Sequence, residues 1–64
     1  MRDPERLNDF YDTLKKYHKE YFPDWRFGQL MCNFLGWYSQ EYGDPFFPEE
    51  DKIIEAFIRY CKEI

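Results

Sequence analysis

Three features of the chain predict an all-α fold, a compact three-helix bundle. Apolar residues recur at helical spacing in three separate stretches, the pattern of amphipathic helices. Pro23 and the string Gly43-Asp44-Pro45 fall between those stretches, where such residues stop a helix or turn the chain. Sixty-four residues are enough for one domain, 1–64, and no more. Helices are expected at about 4–21, 25–42 and 48–63, and short connections should make consecutive helices antiparallel.

The first helix opens on Asp3-Pro4, an N-cap acceptor followed by a proline at the first helical position. Leu7, Phe10, Tyr11, Leu14, Tyr17 and Tyr21 then form one apolar stripe, which Pro23 ends. His18 interrupts that stripe. It reads either as a pH-responsive interface residue or as a half-covered ring bonded to a tyrosine or a carbonyl. Lys15, Lys16 and Lys19 read as a solvated face diluted by Asp12 and Glu20.

Asp24 can cap the second helix. Phe27, Leu30, Met31, Phe34, Leu35, Trp37, Tyr38 and Tyr42 share one broad face at about 100° per residue. Residues 27–40 carry no charge, in a chain where 34% of residues are charged. The run is shorter than the roughly 20 apolar residues that span a bilayer. It is therefore the central element of a bundle or a surface that another molecule covers. Gly28 and Gly36 lie on its opposite face, and glycines within a helix imply close approach of another backbone.

The third helix is expected from about Pro48, with Glu49, Glu50 and Asp51 placed against the positive end of its dipole. Its apolar face holds Ile53, Ile54, Phe57, Ile58, Cys61 and Ile64, flanked by Ala56 and Tyr60.

Composition narrows the function. Seven Phe, six Tyr and two Trp make 23% of the chain, and each covered ring hides about 150–250 Å². So small a body cannot enclose them all, and exposed aromatics suit a binding interface. A net charge of −4 argues against nucleic acid, which calls for a basic face. No membrane association is expected, and the charged start after Met1 does not read as a signal peptide, so a cytoplasmic protein is expected. Cys32 and Cys61 read as free, buried thiols, because their disulfide would require an oxidising compartment. One histidine and no ligand spacing leave no expected metal site, and no cofactor is expected. Nor is there a Ser-His-acid set or a phosphate-cradling glycine loop, or room for an enclosed pocket of about 300 Å³, so an enzyme is not expected.

Two candidate sites emerge. Glu41, Asp44, Glu49, Glu50 and Asp51 form an acidic stretch with no basic residue, interrupted by Phe46 and Phe47. It reads as an acidic-aromatic patch for a basic partner surface, imitating nucleic-acid phosphates. The plainer reading gives the acids to helix capping and has the phenylalanines plug the end of the bundle. Arg26, Gln29 and Asn33 form a row of donors and acceptors on the second helix. They could grip a ligand, or tie loops to the helix with Arg26 reaching Asp44.

Three strings, Arg2-Asp3-Pro4-x-Arg6, Pro23-Asp24-x-Arg26-x-Gly28-Gln29-Leu30-x-x-Asn33 and Asp44-Pro45-Phe46-Phe47-x-Glu49-Glu50-Asp51, in that order and spacing resemble a group of short helical proteins of unknown function. These come from bacteria and their phages. The resemblance implies a helical fold and a mobile-element origin, where chains this small often bind and block a host protein. The expected function is a non-enzymatic binding protein, an inhibitor masking a surface of a host defence protein. Trp37, Asp44, Phe46, Phe47, Glu49 and Glu50 would make the contact, with Arg26, Gln29 and Asn33 as a second patch. Two rival expectations are a homo-oligomer holding a nucleotide at its subunit junctions and a small housekeeping bundle that forms a dimer.

Overall fold

A computed structural model describes residues 2–64 and contains three helices: α1 (Arg6–Tyr21), α2 (Phe27–Glu41) and α3 (Glu50–Glu63). No strand occurs among the described residues. The body measures 35 × 24 × 19 Å. α3 packs against both α1 and α2, which touch each other little. The helix at the centre of the bundle is thus α3, not the uncharged α2.

Each helix begins about two residues later than its sequence signal, for a local reason. Before α1, Asp3 does act as an acceptor: its Oδ1 takes the Glu5 N–H at 3.0 Å. The first turn is closed by i→i+3 bonds, Arg6 N–H to Asp3 O and Leu7 N–H to Pro4 O, so the α-helical ladder starts only at Arg6. Asp24 does not cap α2. The chain takes a further turn, with the Trp25 N–H donating to Phe22 O at 3.1 Å. Arg26 becomes the N-cap, and Gln29 Oε1 reaches back to its N–H at 2.7 Å. A guanidinium has no acceptor, so only the Gln29 half of a capping box forms. Pro48 stays outside α3, and extended Glu49 is its N-cap. Gly43 closes α2 at φ +109°, a left-handed conformation that side chains resist.

The core is one aromatic interlock. Leu30, Phe34 and Tyr38, one turn apart on α2, meet Ala56, Phe57, Tyr60 and Cys61 of α3, and these seven are the buried apolar residues among those described. Phe34 lies edge-on to Phe57 at 5.1 Å and 88°, and beside Tyr60 at 5.6 Å, the arrangement ring quadrupoles favour. Ala56 and Tyr60, expected only to flank the α3 face, are at its centre, while Ile64 at its end is exposed. No α1 residue is fully buried. α1 lies against the core through half-buried Leu14 and Tyr17.

Two fasteners orient α1. At its start, Arg2 grips Glu49 through two bonds of 2.7 Å, and Arg6 meets Glu50 at 2.8 Å. Near its end, Phe22 stacks on Trp25 at 4.3 Å and leans on Tyr60 at 5.8 Å. Start meets start and end meets end, so α1 and α3 run the same way. His18 joins this lower fastener: its Nε2 lies 2.8 Å from Trp25 O. A carbonyl can only accept, so the ring donates from Nε2 and the plainer reading of His18 holds.

Candidate functional site

The segment between α2 and α3 displays what the core hides. Gly43 reverses the chain, and Asp44 Oδ1 then accepts the Phe46 N–H at 2.9 Å. That side-chain turn, with Pro45 and Pro48 on either side, fixes the backbone that carries Phe46 and Phe47. Their rings pack edge to face at 5.2 Å, yet Phe46 is 83% exposed and Phe47 75%. They do not plug the bundle. They pack on each other, and no helical face covers them.

Beside this knob lies an open apolar recess of about 260 Å³ where the three helices converge, lined in part by Tyr11, Leu14, Phe27, Met31, Leu35 and Pro45. Tyr11 at 58%, Phe27 at 64% and Leu35 at 36% keep much of their surface in water. The sequence places these three on apolar helix faces and does not single them out as site residues. For two of them the signal was in the pattern: Tyr11 and Leu35 are at the edges of their stripes, and a face as wide as that of α2 exceeds what one neighbouring helix covers, whereas Phe27 is in line with the buried residues but is the first residue of α2. Only the i, i+4, i+8 line Leu30, Phe34, Tyr38 is buried.

The acids of this region are mostly engaged. Hydrogen bonding to Arg2 holds the Glu49 carboxyl below its ordinary range, and Arg6 does the same for Glu50. The stretch lacks a basic residue in sequence, but the fold brings two arginines to it from the N-terminal segment. Glu41 at its other end meets Arg59 at 3.3 Å. Asp44 and Asp51 have no cationic partner among the described residues. The acidic stretch is therefore not a free row of negative charge.

The other expected residues are dispersed. Trp37 is half-buried, 5.2 Å from Tyr60, with the Arg59 guanidinium 5.4 Å above its ring. Arg59 also donates to the Tyr42 hydroxyl at 2.6 Å, joining the end of α2 to α3. Trp37 is thus the margin of the core, apart from Phe46 and Phe47. Arg26, Gln29 and Asn33 are all exposed. Gln29 spends its oxygen on the cap, and Arg26 forms no ion pair with Asp44. Gly28 and Gly36 have open space where a Cβ would project, so no backbone of this chain approaches them. Cys61 is buried, and burial raises its thiol to about 11; Cys32, expected to be buried, is exposed. Its place opposite the Leu30–Tyr38 line turns it to solvent.

No cluster of three His, Cys, Asp or Glu side chains is arranged for a metal ion among the described residues, and no helix is long and apolar enough to cross a membrane. No protein-family model, curated protein or solved structure matches the chain.

Proposed function

We propose that this chain is a non-enzymatic binding protein that covers the surface of a protein partner with the Phe46–Phe47 knob and the apolar recess beside it. The observation that carries this reading is the exposure of two adjacent phenylalanines on a segment whose backbone is already fixed. Burying each ring is worth about 1.5–3 kcal/mol. Little of that is lost to ordering a loop already held by two prolines and the Asp44 turn. Exposed aromatic anchors ringed by polar groups are the usual make-up of an interaction hot spot. Asp44, with no cationic partner, supplies the rim. Glu49 and Glu50, committed to Arg2 and Arg6, stabilise the base of the knob rather than contact the partner, so the phosphate-imitating reading recedes. An inhibitor that masks a host protein would act in this way.

Affinity capture with the native chain and with Phe46→Asp/Phe47→Asp, compared by mass spectrometry, tests the proposal. We expect a protein retained by the native chain and lost with the double variant, while circular dichroism shows helicity unchanged. Equal retention by both would overturn it.

A further inference from the structure

We infer that the partner of this surface is a second copy of the chain, each copy placing its Phe46–Phe47 knob in the other's recess. The inference rests on the binding reading above and names the occupant. Among the described residues, eight large apolar side chains are exposed, and five of them, Tyr11, Phe27, Leu35, Phe46 and Phe47, belong to the knob and the recess. A molecule with a single protrusion or a single hollow needs a partner of different shape. This one has both.

The size fits. A cavity of about 150 Å³ holds a benzene ring, so a recess of about 260 Å³ admits one phenylalanine and part of the next. The arrangement fits as well. Pro45 lines the recess and immediately precedes Phe46, so knob and hollow are neighbours. A two-fold axis beside Pro45 brings each knob over the opposite recess, and the contact closes on itself as a dimer instead of growing into a chain. At about 150–250 Å² per covered aromatic, the exposed parts of these five side chains amount to roughly 500–800 Å² per copy. The pair would then hide on the order of 1,000–1,600 Å², which reaches the range of specific, stable interfaces.

Burial gained in this way matters to a chain whose core holds seven buried apolar side chains among the described residues, because domains this small often complete their apolar burial by association.

Sedimentation equilibrium at rising concentration, with three chains and one mixture, tests the inference. The native chain should approach twice its 8.1 kDa mass. Phe46→Asp/Phe47→Asp, which removes the knob, and Leu35→Lys, which spoils the recess, should each stay at the single-chain mass. Mixed in equal amounts, they should associate again, because one intact knob then faces one intact recess. A native chain that remains a single copy at high concentration overturns the inference. So does a dimer that survives both variants, or a mixture that fails to associate. Capture of a different protein by a single-copy native chain, lost with the knob variant, would refute only the second copy and leave the binding reading standing.

Discussion

Phenylalanine has opposite fates at two places less than half the chain apart. Phe34 and Phe57 are shut into the α2–α3 contact, while Phe46 and Phe47 stand in water on the segment that joins those same helices. Hydrophobicity is identical at the four positions, so it cannot be what separates them. Phe34 belongs to a line repeated every four residues and Phe57 to the matching line of α3, and both lines find each other. Phe46 and Phe47 are consecutive, on a backbone set by Asp44 and two prolines. No helical periodicity can turn both of them to one side.

The largest break in this contrast comes from truncation. Phe57→Ala should cost about 3–5 kcal/mol, comparable to the whole stability of a small domain, and leave the chain largely unfolded in urea or thermal denaturation. Measured at a concentration low enough to keep the chain a single copy, Phe47→Ala should shift stability by no more than about 0.5 kcal/mol, as for an ordinary surface change. Comparable losses at the two sites would mean that the knob is part of the fold.

The cysteines sharpen the same contrast chemically. Cys61 is raised from 9.0 to about 11 by burial, and only the thiolate reacts. Its thiolate fraction at neutral pH is therefore about 100-fold below an unperturbed thiol's, before shielding is counted. A disulfide reagent should titrate one thiol, Cys32, rapidly and the second only after denaturant is added. Two fast thiols would show that the α2–α3 contact opens readily.

Acid tests the fasteners at the base of the knob, with the smallest effect. Hydrogen bonds from Arg2 and Arg6 lower the Glu49 and Glu50 carboxyls below the ordinary 4.5. Groups lowered by folding stabilise the fold when ionised, so their contribution is present above about pH 4.5 and lost as pH falls through the folded values. Glu49→Gln/Glu50→Gln should make the fall in denaturation midpoint from pH 6 to pH 3 shallower. An unaltered slope would show that the two ion pairs, exposed as they are, add nothing measurable.

Much of this was legible in the chain. Periodicity placed three helices to within two residues, because amphipathic repeats are set by the 3.6-residue turn alone. The prolines and Gly43 placed the connections for equally local reasons. The exact starts were not legible: the extra turn at Trp25 and the Gln29 cap depend on competing hydrogen bonds of similar strength. Among the candidate residues, Phe46 and Phe47 stood out because they are adjacent aromatics in a turn. Tyr11, Phe27 and Leu35 did not, because a helical stripe reveals neither how much of its width nor how much of its length a neighbour will cover.

By itself, then, the order of residues determined an all-helical domain, the position of its turns and an excess of aromatic surface. Those properties depend on neighbours within a few residues. Tertiary structure alone decided that α3 is the central helix, that Arg2 and Arg6 neutralise Glu49 and Glu50, and that five apolar side chains gather as a knob beside a recess. Each of these joins groups far apart in the chain, and only the mutual packing of three rods determines which of them meet.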